Sequence, residues 1–262
     1  MMAWDDLLSG GGRKVSPSTG ARTDRAARKQ LEQRIMLAEQ DVGRNLSKLF
    51  EQRYDLLDRH NASNPKQMMA CDLMEDLQEI LGRASVKKFR DERKFFFQIV
   101  DDSIPFSFAL PGGYIFISTG LLKLIQIHRD ETAFILGHEM GHIIQMHPVK
   151  RIVQDADHGG SMDRLVNTAA AAEWFEQTGP GFMLKPYTEE RELLADKQAI
   201  RLMMTAGFDP EAPVRMFERL MENSSGPMGR PLPDYFEHHP RFEKRIRQIR
   251  EYISSHRAGS HR

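Results

Sequence analysis

The sequence predicts a mostly helical α+β protein with a small antiparallel sheet, and three observations carry that reading. Long stretches repeat apolar residues at three- and four-residue steps, the period of a helix with one buried face. Two short runs rich in aromatic and β-branched residues flank Pro111-Gly112-Gly113, as strands do around a turn. After those runs, an apolar helical stretch carries His138 and His142 four residues apart on one face, and the small sheet is expected beside that helix.

Residues 1–23 are Gly-, Ser-, Pro- and base-rich without an apolar face, so disorder is expected there. A long helix is expected from Asp24 to His60, since Leu31, Ile35, Ala38, Val42, Leu46 and Leu49 form one stripe. Asn61–Pro65 breaks it, and a second helix should cover Pro65–Leu81. Residues 24–90 thus read as a helical region that packs on a catalytic domain over 91–254. The strand runs are Phe95–Val100, Phe106–Leu110 and Tyr114–Ser118. Helices should follow from Thr119 and from Asp130, where Asp130 and Glu131 suit the positive end of a helix dipole, and the second should stop before Pro148. Gln154–Gly181 is polar and glycine-bearing around Ala169–Ala172 and reads as an irregular insertion, long enough to act as a lid. Further helices are expected from Tyr187 to a C-cap glycine at Gly207, over Pro210–Met221 and over Phe242–Ile253, with 255–262 as a flexible tail.

Composition narrows the function. The 262 residues are 40% apolar and 28% charged, with 37 basic and 37 acidic side chains, so no global charge draws the chain to nucleic acid. The basic residues from Arg241 onward alternate with Glu243 and Glu251 and read as a solvated helix face. Cys71 is the single cysteine; it cannot form an internal disulfide or a thiolate cage and reads as a small core residue. Acids at Asp5 and Asp6 stand where a signal peptide needs bases, and no window reaches the length of an apolar membrane span. A cytoplasmic location, compatible with peripheral membrane association, is the expectation.

The chemistry lies in His138-Glu139-Met140-Gly141-His142. Residues four apart on a helix point the same way, so both imidazoles can take corners of one zinc tetrahedron. Glu139, about one hundred degrees round the helix, sits beside the metal as a general base rather than on it. A third ligand is required. His147 lies nine residues from His138, one short of the spacing seen where a third histidine follows such a motif. Glu192 is the better choice: with Asp196 it shares one face of a helix, so Glu192 can ligate while Asp196 receives a bond from a ligating imidazole. The competing readings are a surface carboxylate at Glu192 among Glu189, Glu190, Arg191 and Lys197, and a helix-end His147 that binds nothing. Gly141 implies that something approaches the helix closely.

Several blocks in order resemble the gluzincin peptidases that include the CAAX prenyl proteases, the bacterial heat-shock HtpX proteases and the mitochondrial Oma stress proteases. They are Phe108–Ile117, Gly120–Leu122, Leu136–His142, Glu192–Asp196 and Ala206–Pro210, and the resemblance runs over roughly residues 39 to 250. It implies a gluzincin fold, one Zn2+ held by His138, His142 and Glu192, Glu139 as catalytic base and Asp196 as support for the first ligand. It also implies that Gly112, Gly113, Tyr114 and Ile115 lie on an edge strand that pairs with an extended protein substrate. The late His238-His239-Pro240 and Arg245-Ile246 pairs resemble elements near the cleft of relatives, with His239 as an oxyanion-stabilising residue. Phe106-Ser107 and Thr188-Glu189 depart from the family's usual Asn-Ala and Ser-Arg, and no membrane span of the relatives is present in the sequence. The function implied is a zinc endopeptidase, in the context of protein quality control. A zinc aminopeptidase and a catalytically silent zinc-binding interaction module are the alternatives.

Overall fold

The computed structural model describes residues 21–89, 93–154, 161–185, 187–225 and 242–259. Of the segment 1–23 expected to be disordered, residues 1–20 lie outside that range, as does His239 with its expected role, whereas residues 21–23 are helical. The first helix, α1 (Ala21–Arg53), buries Val42, Leu46 and Phe50, which lie on one stripe at four-residue steps. It ends earlier than the periodicity predicts. The Asp58 carboxylate accepts bonds from the His60 and Asn61 backbone N–H groups, which holds a turn in place of a last helical turn. Just before that turn lies a two-residue strand, β1 (Leu56–Leu57). Helix α2 (Pro65–Phe89) follows and runs eight residues beyond the predicted Leu81.

The strands are β2 (Phe96–Val100), β3 (Ser107–Ala109) and β4 (Tyr114–Ser118). Their order across the sheet is β1-β2-β4-β3. The β3–β4 hairpin and the β1–β2 pair are antiparallel, but β2 runs parallel to β4, so the sheet is mixed rather than antiparallel throughout. Alternate residues face opposite sides. Ile99, Ala109, Ile115 and Ile117 join one core, and Val100, Phe108 and Phe116 join another. Both faces are therefore covered, which is why the strands read as almost continuous apolar runs.

After β4 come α3 (Thr119–Leu124), capped by the Ser118 hydroxyl, and α4 (Arg129–Ile144), where the sequence placed them. Short helices α5 (His147–Gln154) and α6 (Met162–Leu165) lead to α7 (Thr168–Leu184). The stretch expected to be irregular is thus largely helical. The Asn167 side chain caps α7 by accepting from the N–H groups of Ala169 and Ala170, and the alanines that follow favour helix. Helix α8 (Glu189–Ala206) stops at Gly207, whose φ of 84° is the left-handed cap that only glycine adopts cheaply. Helices α9 (Ala212–Ser225) and α10 (Phe242–Gly259) complete the chain; α10 continues through residues 255–259, where a flexible tail was expected.

Helices α2, α4, α8, α9 and α10 supply the core on one face of the sheet, and α1, α5, α6 and α7 the core on the other. Among the described residues, no helix is long and apolar enough to cross a membrane.

Candidate active site

Helix α4 is buried on all sides from Glu131 to Ile143, which is unusual for a stretch that holds two histidines and two glutamates. The packing that makes this possible is a close crossing with α8. A Cβ on Gly137 would stand 3.3 Å from the Ala199 Cα, and one on Gly141 2.9 Å from the Ala195 carbonyl oxygen. The two glycines and the two alanines are each four apart, so small residues meet small residues along one seam. What approaches Gly141 is therefore α8 itself. That approach is what brings Glu192 and Asp196, both on α8, within reach of the histidines.

His138 Nε2 lies 3.0 Å from His142 Nε2 and 3.2 Å from Glu192 Oε2, and His142 Nε2 lies 3.8 Å from Glu192 Oε1. Tetrahedral bonds of about 2.0–2.1 Å from N and O to zinc put neighbouring donors about 3.3 Å apart. The three observed separations bracket that value, and all three residues are at most 2% exposed. Two imidazoles and a carboxylate, converging in a buried pocket at that spacing, fit a zinc-type ion in both donor chemistry and geometry. Glu192 is fixed further by the Tyr187 N–H, which donates to Oε1 at 3.2 Å.

His138 is held from behind. Asp196 Oδ1 lies 2.8 Å from its Nδ1, and Arg245 of α10 grips the same carboxylate twice, Nε to Oδ2 at 2.8 Å and Nη2 to Oδ1 at 2.5 Å. Burial alone would raise the Asp196 pKa; the Arg245 charge and the bonds from His138 and Arg245 outweigh it and hold it low. Burial also opposes a proton on His138, yet the bonds to Asp196 and Glu192 win and raise its pKa to about 9. Arg245 is 4% exposed and committed to Asp196, so it is not a cationic group of the open cleft.

His142 is held differently. Its Nδ1 lies 2.9 Å from His147 Nδ1, and its ring stacks on Tyr187 with centroids 4.3 Å apart. The Arg151 guanidinium covers Tyr187 at 3.4 Å from the ring centre. His147, read from sequence as a helix end that binds nothing, is thus buried against a candidate ligand. The missing signal is conformational. Five residues on a continuous helix would carry His147 about 140° away from His142. Instead Met146 takes φ 57°, a left-handed conformation that costs a residue with a Cβ about 1–2 kcal/mol, and the chain doubles back. Burial, and then the Arg191 and Lys150 charges, push the His147 pKa down to about 3.

Glu139 is 4% exposed, and Ser107 Oγ of β3 donates to its Oε1 at 2.6 Å. Burial raises its pKa, partly offset by His138 and by the Ser107 bond. A carboxylate of raised basicity beside a metal pocket is suited to take a proton near neutral pH. Ser107, which departs from the familiar Asn-Ala, is a contact that spacing alone did not reveal.

The structure corrects the expected edge strand. Tyr114 and Ile115 pair with Phe96 and Phe97 of β2 on one side, and Ile115 pairs with Ala109 of β3 on the other, so β4 is interior. Gly112 and Gly113, at φ 74° and 98°, form the tight turn before it. A Cβ on Gly113 would stand 2.0 Å from the Lys94 carbonyl, and one on Gly112 3.0 Å from the Gln40 Cα of α1. Both glycines accommodate the chain's own backbone. The outermost strand on this side is β3.

Residues 73–253 match the pattern of Peptidase family M48. The mitochondrial metalloendopeptidase OMA1 of Schizosaccharomyces pombe is 30% identical over 179 residues, covering 66% of this chain and 51% of that protein. The human mitochondrial metalloendopeptidase OMA1 is 26% identical over 196 residues, 70% of this chain and 36% of its own length. The beta-barrel assembly-enhancing protease of Escherichia coli is 25% identical over 169 residues, covering 59% and 33%. The chain spans about half, or less, of the length of these curated relatives. The family match takes in His138, Glu139, His142, Glu192, Asp196 and Arg245, and it begins within α2, after α1.

Proposed function

The chain belongs to peptidase family M48, and from that membership and the geometry of the pocket we propose that it is a zinc-dependent endopeptidase acting on protein substrates. The observation that carries the reading is the convergence of His138, His142 and Glu192 at metal-bond spacing with Glu139 beside them. Bound there, the metal supplies Lewis-acid polarisation of the scissile carbonyl and of the attacking water. Ser107 fixes Oε1 of Glu139 and leaves Oε2 to take the proton from that water. Glu139 then delivers the proton to the departing amine. Asp196 keeps the Nε2 edge of the His138 imidazole turned to the metal. An extended substrate segment lies along β3, the strand that carries Ser107, where main-chain bonds tolerate varied sequence.

Casein cleavage and metal content, measured together on the wild type and on Glu139→Gln, test this. One zinc bound in both, with turnover lost by about 10²–10⁴-fold in the variant, is the expected result. Absence of zinc from the purified wild type after zinc loading would overturn the assignment. Zinc in both and cleavage in neither would favour a metal-binding interaction module instead. An internally blocked peptide separates an endopeptidase from an aminopeptidase, which needs a free amine.

A further inference from the structure

We propose that His147 is a positioning residue that selects the metal-binding tautomer of His142, an inference that rests on the metalloendopeptidase reading. Only one nitrogen of His142 can face the metal. Its Nε2 edge is turned toward His138 and Glu192, so its Nδ1 edge must carry the proton when Nε2 offers a lone pair. That proton needs an acceptor in so buried a place. His147 Nδ1, at 2.9 Å and 2% exposed, is the polar atom placed to accept it. His147 therefore carries its own proton on Nε2 and stays neutral.

The two ligands are supported by unlike groups. His138 gives its Nδ1 proton to a carboxylate that Arg245 clamps, whereas His142 gives its own to a second, neutral imidazole. Carboxylates, backbone carbonyls and waters are the usual partners of a ligating histidine, so this arrangement is a property of the particular chain path. The left-handed Met146 builds that path, and the Lys150 N–H closes the new turn onto the Met146 carbonyl. Tyr187 braces the His142 ring on its face at 22° and leaves the bond to His147 to set rotation within the ring plane.

The test compares His147→Leu, which removes the acceptor, with His147→Asn, whose amide oxygen can occupy the Nδ1 position. Zinc affinity is read by competition with a chromophoric chelator, and the visible bands of the cobalt(II)-loaded protein report the ligand field. His147→Leu should bind zinc about 10–100-fold more weakly than the wild type and shift the cobalt bands, and His147→Asn should recover most of both. Equal zinc affinity in a folded His147→Leu protein would overturn the proposal, as would an asparagine variant no better than leucine. Long-range proton–nitrogen correlation in the zinc-loaded wild type needs no variant. It should find His142 protonated on Nδ1 and His147 on Nε2; a proton on His147 Nδ1 would refute the role outright. If the wild type itself binds no zinc, the endopeptidase reading fails first, and the two failures are told apart by that control.

Discussion

At residue 141 two rules of protein chemistry oppose each other. Alanine is the better helix former, by about 1 kcal/mol, yet the Cβ it adds would meet the Ala195 backbone at 2.9 Å. Backbone cannot step aside as a flexible side chain can, so Gly141→Ala should destabilise the protein by about 1–3 kcal/mol and loosen Glu192 from the pocket. A higher urea midpoint for the variant would refute this. Arg245 poses the complementary case. Replacing it with methionine leaves Asp196 charged, buried and half-unpartnered, and should cost about 3–5 kcal/mol in urea unfolding. A loss below about 1 kcal/mol would mean that water or His138 already satisfies the carboxylate. His138, Glu139 and His142 could be read from spacing because one helix carries all three. Glu192 and Asp196 could be read because another helix carries both. Arg245 and His147 could not be assigned, since their partners depend on a tertiary contact and on one left-handed residue, neither of which leaves a periodic mark.

Among the elements, α7 shows how a segment's composition can mislead. Glycines and polar residues around Gln154–Gly181 suggested a detachable lid, but Trp174 and Phe175 are 1% exposed and Ala171 is fully buried against the β3–β4 face. Trp174→Ala should therefore cost about 3–5 kcal/mol by leaving a cavity in that core. A cost under about 1 kcal/mol in chemical denaturation would return α7 to the status of a loosely held flap. The strands themselves were legible as apolar runs. Their order was not, since alternation says which residues share a face and nothing of which strand is the neighbour. The hairpin through Pro111–Gly113 put β3 and β4 together as the turn residues promised, while the parallel β2–β4 pairing and the two-residue β1 had no local signature.

For the molecule as a whole, one sheet divides two cores, and the metal pocket belongs to the side built by α4, α8 and α10. Helix α1 lies before the family match, but it is integral to the other side: the Phe50 ring packs against Phe108 and Phe116 at 5.0 and 4.6 Å. A metal that binds only the folded chain stabilises it by mass action, about 2.7 kcal/mol at a hundred times its Kd. Stripping zinc with a chelator should thus lower the thermal midpoint, by more as the free zinc it replaces was higher. A midpoint indifferent to zinc would show that the pocket does not hold it in the native state.

The clamp on Asp196 has a bearing on how such a protein is made. Arg245, whose guanidinium pairs with Asp196, lies 49 positions further along the chain than that carboxylate. During synthesis His138, Glu139, His142, Glu192 and Asp196 leave the ribosome first, and Arg245 is the last of these groups to emerge. Asp196 therefore gains its guanidinium partner only once α10 has packed against α8.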